Sequence, residues 1–142
     1  MSVRELMTKT VISIAPEESA ALAARLLSRH DLGALPVCDR KGRLLGIVTD
    51  RDIVTRCVAA GEDPRRVPVA EVMTRGVAVT DPEDEPIRAV RQMAHSQVRR
   101  LPVLENGVVV GMLSLGDFAR HHRYAMECAE ALSDISSSVR RD

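Results

Sequence analysis

Two stretches of the chain, GIVTDRD (residues 46–52) and GMLSLGD (residues 111–117), share one outline. Each is an apolar run that ends in a hydroxyl residue, and an aspartate follows three positions later. The run favours a strand, and the hydroxyl with its acid favours the start of a helix. The chain therefore repeats one strand-to-helix corner, at residues 49–52 (the first corner) and at residues 114–117 (the second corner).

The repeat extends far beyond the corners. With an offset of 66 residues, Leu35-Pro36-Val37 falls on Leu101-Pro102-Val103. One residue is then deleted in a turn, and with an offset of 65 Asp52 falls on Asp117. A register kept over this length indicates an internal duplication.

Each repeat is predicted to fold in the order β-α-β-β-α from its apolar periodicity and turn residues. The second long helix is expected to have Asp81 as its N-cap and Pro82 as its first helical residue, and Asn106-Gly107 indicates a tight hairpin turn. The predicted elements are first strands at 11–14 and 77–79, long helices at 16–30 and 81–96, hairpins at 34–49 and 100–114, and short helices from about Asp50 and about Leu115.

A single repeat of about 60 residues buries too little surface to be more than marginally stable on its own. We therefore expect an α/β fold in which the two repeats pack sheet to sheet about a pseudo-twofold axis, with a C-terminal helix added. The expected domains are repeat 1 in 1–60, a linker in 61–69, repeat 2 in 70–123 and a helical tail in 124–142.

Composition excludes several classes of protein. Of the 142 residues, 45% are hydrophobic and 28% are charged, and the formal net charge is zero. With Phe118 and Tyr124 as the only aromatic residues, the chain lacks both the stacking platforms and the positive charge that nucleic-acid binding needs. No apolar run approaches the roughly 20 residues of a membrane span, and the first residues lack the apolar core of a signal peptide. We expect a cytoplasmic protein.

Metal binding and disulfide bonding are not expected. The three cysteines, Cys38, Cys57 and Cys128, are scattered and do not form a CxxC motif, so reduced thiols are predicted. His121 and His122 are adjacent and face different sides of a helix, which makes them poor chelators.

The repeated corner has two interpretations. As a capping box, the hydroxyl and the acid satisfy free N–H groups at the start of a helix and need no ligand. As a binding site, the helix start attracts a phosphate, the hydroxyl donates to it, and the aspartate accepts hydrogen bonds from the 2′- and 3′-hydroxyls of a ribose. If the two aspartates were locked onto their own backbone, or turned away from any groove, the sensing function would fail and only the scaffold would remain.

The segments LPVCDRKGRLLGIVTDRDI and VRRLPVLENGVVVGMLSLGDF resemble the CBS (cystathionine β-synthase) domain family, and the likeness covers about residues 2–122. Two tandem copies resemble a CBS pair, or Bateman module, and the chain is similar to short stand-alone two-CBS proteins of actinobacteria, including the hypoxic response type. The resemblance implies regulation without catalysis and binding of an adenosine-containing ligand such as AMP, ADP, ATP, NAD(H) or S-adenosylmethionine, which we expect in the clefts between the repeats. No cofactor is implied beyond such a ligand.

The resemblance also assigns residues to the ligand. Arg99 and Arg100 point to opposite faces of a strand, so we favour Arg100 for the phosphate, with a solvated surface pair as the alternative. Arg51 either reaches a phosphate or stays in water. The implied contacts are Asp52 and Asp117 to ribose, Thr49 and Ser114 to phosphate, the backbone around Thr10, Ile12 and Ala78 to adenine, and Pro36 and Pro102 beside the base.

The tail carries a heptad-like seam that predicts one further helix. This helix packs either on its own domain or on a second chain. The seam consists of Phe118, His121, Ala125, Cys128, Leu132, Ile135 and Val139. We expect a homodimer formed through the CBS repeats, with a possible contribution from this helix, together with an unknown protein partner. A ligand-free dimeric scaffold and an unrecognised enzyme remain as alternative functions.

Overall fold

A computed structural model describes residues 1–120 and 125–141 of the chain. Within these residues, the helices are α1 (Val3–Leu6), α2 (Ala20–Arg29), α3 (Asp50–Ile53), α4 (Val69–Val72), α5 (Pro86–Ser96), α6 (Leu115–Ala119) and α7 (Ala125–Arg141). A π-helical turn, Val54–Val58, follows α3. The strands are β1 (Ala34–Cys38), β2 (Leu44–Thr49), β3 (Arg100–Glu105) and β4 (Val108–Ser114). The predicted α/β repeat is confirmed.

The chain forms two compact units that do not coincide with its sequence repeats. The central unit is Ile12–Val77, and the terminal unit is Met1–Val11 with Ala78–Asp142. Helix α1 of the first repeat thus belongs with the hairpin of the second, and α4 of the second repeat belongs with the hairpin of the first. The predicted domain boundaries, 1–60 and 70–123, follow the repeat in the sequence. The compact units have different boundaries, because each contains the first helix of one repeat and the hairpin of the other.

The predicted linker at 61–69 is a packed part of the central unit. The amide of Ala20 donates to the carbonyl oxygen of Val67 at 2.8 Å, and the amide of Ala21 donates to that of Pro64 at 2.9 Å. Val67 is buried, and so is Val69 at the start of α4. These two valines join the apolar core of the unit, which explains why the segment is not a free connection.

Both predicted hairpins are present. Strands β1 and β2 pair antiparallel, as do β3 and β4. The second hairpin turns at Asn106 and Gly107 with φ values of 56° and 80°, the left-handed pair that a tight type I′ turn requires. In the first hairpin, the Asp39 carboxylate accepts from the amides of Lys41 and Arg43 at 2.9 Å and fixes the turn.

The predicted first strands at 11–14 and 77–79 are wrong in extent. The first is reduced to a one-residue parallel bridge of Ile14 with Val37, and in place of the second only Thr80, the residue after it, bridges Val103. The ladders stop because of the prolines on the neighbouring strands. One more step would need a backbone N–H donated by the residue at position 36 in the first repeat and at position 102 in the second. Both residues are proline, which has no N–H.

The other edge of each hairpin is bridged by a Met-Thr segment. Thr8 pairs with Met112 in the terminal unit, and Thr74 pairs with Ile47 in the central unit. A Cβ atom on Gly46 would lie 2.6 Å from the carbonyl oxygen of Thr74, and one on Gly111 would lie 3.0 Å from that of Thr8. The close approach of another backbone therefore requires a glycine at position 46, whereas at Gly111 the nearest atom to that Cβ is the side-chain sulfur of Met7, at 2.5 Å.

The long helices begin later than predicted. Helix α2 starts after Ser19, whose hydroxyl accepts the amide of Leu22 at 3.1 Å. Helix α5 starts at Pro86, so the prediction of Asp81 as N-cap and Pro82 as first helical residue is wrong. Instead, the Asp81 carboxylate accepts the amide of Glu83 at 2.9 Å and closes a turn. The preference for proline in the first helical turn is still met, because Pro86 is the first residue of α5.

Helix α7 packs on its own unit, which confirms one of the two interpretations of the tail. Cys128, Ala131 and Ile135 are buried, and the first two join the core around Phe118. Leu132 is 41% exposed, so the seam departs there from its heptad pattern. Of the predicted seam, His121 and the side chains of Ala125 and Val139 lie outside the described residues, as do His122 and Tyr124.

Candidate functional site

The first corner is a capping box at the start of α3. The amide of Asp52 donates to the Thr49 hydroxyl oxygen at 3.0 Å, and the amide of Thr49 donates to Asp52 Oδ2, also at 3.0 Å. The capping interpretation is therefore confirmed here. Asp52 is 9% exposed, a low value for a charged residue, because its carboxylate is held by the backbone.

The second oxygen of Asp52 is only loosely engaged. Oδ1 lies 3.4 Å from the donating hydroxyl of Thr74 and 3.9 Å from Arg56 Nε. The Arg56 guanidinium is held elsewhere, because its Nη1 donates to the carbonyl oxygens of Val72 and Met73 at 3.1 and 3.0 Å. Oδ1 thus keeps acceptor capacity.

The second corner is also a capping box, but its aspartate is more fully occupied. The amide of Ser114 donates to Asp117 Oδ2 at 2.8 Å, and the amide of Asp117 donates to the Ser114 hydroxyl at 3.2 Å. Asp117 Oδ1 accepts a hydrogen bond from Arg120 Nη2, which also makes an ion pair. Both carboxylate oxygens therefore have partners within the chain.

The capping boxes bear directly on the ribose role. An ionised carboxylate offers about four acceptor positions, and one backbone amide uses one of them. At Asp117 the additional ion pair counts against a paired contact to two ribose hydroxyls. At Asp52 the weakly engaged Oδ1 leaves that contact available. An acceptor oxygen with only long contacts is therefore left for the predicted ribose contact at Asp52 but not at Asp117.

The backbone beside each predicted base position is free of ladder partners. Within residues 1–120 and 125–141, no backbone hydrogen bond is made by residues 11–13 or by residues 77–79. Ile12 and Ala78 are half-buried, whereas Pro36 and Pro102 opposite them are buried. Extended backbone of this kind presents N–H and C=O groups that need a partner, either water or a ligand.

Arg100 is the first residue of β3, and Arg99 lies just before the strand. Arg100 is the register partner of Ser114, so the two side chains share one face of the hairpin. In the other repeat, Ala34 occupies this place opposite Thr49. Arg99 instead lines an apolar groove formed by α6 and α7.

Two further predicted residues have less support. Arg51 is exposed, and its amide donates to Asp50 Oδ1 at 2.9 Å. Thr10 is exposed and belongs to the terminal unit, whereas Ile12 belongs to the central unit. The stretch predicted to face adenine is therefore divided between the units.

Sequence reasoning missed three polar groups around the corners: Thr74, Arg56 and Arg120. Arg56 and Arg120 follow their aspartates by four and three residues, a spacing that brings side chains together on a helix. That spacing could have indicated the ion pairs. Thr74 is distant in sequence, and its signal was its repeat partner, Thr8.

All three cysteines are free thiols and are buried in the structure. Burial raises the pKa of the thiols of Cys38, Cys57 and Cys128, which keeps them protonated. Among the described residues, no three His, Cys, Asp or Glu side chains are grouped so that they could hold a metal ion. No helix in the described residues has the length and apolar character needed to cross a membrane.

Comparison with known proteins identifies the family. The CBS domain model matches residues 3–59 and 69–123, so the chain belongs to the CBS domain family. Two matched segments make it a CBS-pair regulatory protein, and the predicted resemblance is confirmed.

Curated relatives align along most of the chain. CBS domain-containing protein YhcV of Bacillus subtilis is 37% identical over 135 residues, which is 95% of each chain. Hypoxic response protein 1 of Mycobacterium tuberculosis is 36% identical over 118 residues, covering 83% of this chain and 82% of that protein.

Three solved structures are similar in fold. Hypoxic Response Protein I with two coordinated zinc ions has a TM-score of 0.79 and 35% identity over 85% of this chain and 98% of that one. The hexameric CBS-CP12 protein from bloom-forming cyanobacteria has a TM-score of 0.77 and 30% identity, with coverages of 88% and 70%. The CBS domain pair of protein MJ0100, in complex with 5′-methylthioadenosine and S-adenosyl-L-methionine, has a TM-score of 0.76 and 26% identity, with coverages of 84% and 94%.

Proposed function

We propose that this protein is a non-catalytic sensor that binds an adenosine-containing ligand and changes its interaction with another protein. The candidate ligands are AMP, ADP, ATP, NAD(H), S-adenosylmethionine and 5′-methylthioadenosine. The MJ0100 pair, which holds two such molecules, supports this class of ligand. Ligand binding would shift the population of conformations that a partner recognises.

The observation that carries the proposal is the unpaired backbone at residues 11–13 and 77–79. Pro36 and Pro102 end the parallel ladders at the same step in both repeats. The carbonyl groups of Ile12 and Ala78 therefore lack the ladder donor that any other residue would supply. An adenine edge offers an amino donor beside a ring-nitrogen acceptor, which complements the C=O and N–H groups of extended backbone.

Each corner offers contacts for the rest of a ligand that is bound within its own unit. In the central unit, Asp52 Oδ1 can accept from ribose hydroxyls, and the Thr49 hydroxyl keeps its own proton to donate. In the terminal unit, Arg100 lies across the ladder from Ser114 and can pair with a phosphate. Arg51 is exposed and close in sequence to the first corner, so it is a second candidate for that contact.

Substitution of Asp52 tests the ribose contact. Asp52→Asn keeps an oxygen for the capping box but replaces the outer acceptor with an amide donor. We expect the affinity for the candidate ligand that binds most tightly to fall about 10- to 100-fold. The reason is that a hydrogen bond to a charged group contributes about 1.5–3 kcal/mol. Isothermal titration calorimetry measures the change.

The matched control for this test is Asp50→Asn. It removes the same charge from the same helix turn, at an exposed carboxylate that accepts only the neighbouring amide of Arg51 among the described contacts. Affinity should stay within about twofold of the unchanged protein. If Asp52→Asn combined with Asp117→Asn binds as tightly as the unchanged protein, the ribose role is wrong.

Substitution of Pro36 tests the free backbone. Pro36→Ala supplies an N–H that can donate to the carbonyl of Ile12 and lengthen the ladder. We expect amide exchange at position 36 to become slow and ligand affinity to fall about two- to tenfold, because one net hydrogen bond of about 0.5–1.5 kcal/mol now competes with the ligand. Pro64→Ala, in the same unit but away from this ladder, is the control. Unchanged affinity with a protected amide at position 36 would contradict the adenine role.

A dimeric scaffold without a ligand is the second candidate function. It is favoured by the capping boxes, because they give both aspartates a structural role that needs no ligand. The hexameric CBS-CP12 relative supports self-assembly, and we propose a homodimer for this chain. A thermal-shift panel of the adenosine ligands separates the two functions, since a specific ligand must raise the melting temperature. Native mass spectrometry of the purified protein reports the subunit number and any retained ligand.

A further inference from the structure

The two corner aspartates differ in how an arginine meets them. Arg120 donates through Nη2 to Asp117 Oδ1, and its side chain is 76% exposed while that of Asp117 is 6% exposed. Arg56 remains 3.9 Å from Asp52 Oδ1, because two backbone carbonyl groups at the end of α4 hold its guanidinium. Asp117 Oδ1 is thus held by a close ion pair, whereas Asp52 Oδ1 has only a long ion pair and a long hydrogen bond.

The difference is built into the sequence of the repeats. With the offset of 65 residues, Arg120 corresponds to Thr55 in the first repeat. The Thr55 hydroxyl donates to the carbonyl oxygen of Arg51 at 2.8 Å and does not reach the aspartate. Only the second repeat therefore places a cation at the residue three positions after its corner acid.

We infer that Arg120 is a specificity-determining residue that keeps the second corner closed to a nucleoside, so that the protein holds its adenosine ligand through Asp52. This inference rests on the proposed function. A ribose hydroxyl must displace Arg120 before it can reach Asp117 Oδ1, whereas at Asp52 it meets an oxygen with only long contacts. An occupied charged acceptor is a poorer partner than an open one.

Stoichiometry and affinity follow from this difference. The unchanged protein is expected to bind one equivalent of 5′-methylthioadenosine or AMP per chain, through the first corner. The second corner is expected to bind the same molecule about tenfold more weakly, because the ion pair must first be broken.

The experiment is calorimetric titration of Arg120→Met with 5′-methylthioadenosine and, separately, with AMP. We expect a second equivalent to appear with affinity about tenfold higher than the second corner shows in the unchanged protein. Arg120→Gln is the second variant, with a polar side chain in case the apolar one disturbs folding. The control is Arg43→Met, which removes an exposed arginine from an ion pair of 2.8 Å with Asp39 in the first hairpin and should leave the stoichiometry at one.

Adding Asp52→Asn assigns each binding event to a corner. Asp52→Asn alone is expected to leave only the weaker binding of the second corner, and Asp52→Asn with Arg120→Met is expected to tighten that binding, through Asp117. Two equal sites in the unchanged protein, or weaker binding after Arg120→Met, would overturn the inference and leave the sensor function in place. If neither molecule nor any other ligand of the panel binds to the unchanged protein, the sensor function and this inference fail together.

Discussion

Replacing Gly46 with valine is expected to lower the free energy of unfolding by about 3 kcal/mol or more. A Cβ atom at this position would lie 2.6 Å from the carbonyl oxygen of Thr74, which is a backbone atom. That carbonyl accepts the amide of Ile47 at 2.9 Å, and the amide of Thr74 donates back to Ile47 at 2.8 Å. The new side chain can be accommodated only if this bridge opens.

The effect of the Gly46 substitution should be local as well as global. Because the bridge holds the segment after α4 against β2, amide exchange should quicken at residues 69–74 before it does so in the rest of the central unit. Urea unfolding followed by circular dichroism gives the stability, and exchange mass spectrometry gives the location.

Gly116→Ala is the matched control for the Gly46 substitution. A Cβ atom there would meet only the Ser114 hydroxyl oxygen, at 3.6 Å, which is an ordinary contact. Because Gly116 lies within α6, alanine is expected to stabilise the protein by about 0.5–1 kcal/mol. Equal effects at Gly46 and Gly116 would show that the close approach at Gly46 does not constrain the fold.

Replacing Phe118 with alanine is expected to cost about 3–5 kcal/mol of unfolding free energy. Phe118 is fully buried, and it is the largest side chain in the core of the terminal unit. Its removal leaves a cavity among residues such as Met93, Leu101 and Leu113, which cannot fill it without moving their strands and helices. Since whole-protein stability is typically about 5–15 kcal/mol, the terminal unit should become marginal.

Val54→Ala is the control for the Phe118 substitution, because Val54 is an apolar residue that is 58% exposed. It should change stability by less than about 0.5 kcal/mol. In the Phe118 variant, amide exchange should quicken in β3 and α5 and stay slow in β1 and β2. A loss below about 1 kcal/mol for Phe118→Ala would mean that this side chain does not organise the core.

Features that depend on neighbours in the sequence were predictable. The capping boxes join residues three apart, and the turn at Asn106-Gly107 needs only the left-handed backbone of those two residues. Helix α5 shows the limit of such reasoning. Pro82 and Pro86 are both suitable first residues of a helix, and the local signal at Asp81 closed a turn instead.

The sequence predicted which residue types stand at the candidate site, but it did not predict their hydrogen-bond partners. The hydroxyl–acid pairs were correctly placed at helix starts, and Arg100 lies on the expected face of its strand. What remained hidden was the state of each carboxylate. Whether the nearby arginine pairs closely with the aspartate depends on which acceptors its flexible guanidinium reaches. The Arg56 guanidinium donates to two backbone carbonyl groups at the end of α4 and so stays farther from Asp52.

The sequence by itself determined the duplication, the hairpins, the corners and the family, because these follow from spacing and from contacts within a few residues. Only the tertiary structure showed that the first helix of each repeat belongs with the hairpin of the other repeat. It also showed that Arg120 makes a close ion pair with Asp117, whereas Asp52 has no equally close partner. The physical reason is that the two repeats carry similar apolar patterns, so the sequence does not say which hairpin each first helix packs against. In the structure, the Met-Thr segment after each first helix bridges the other repeat's hairpin, beside Gly46 or Gly111.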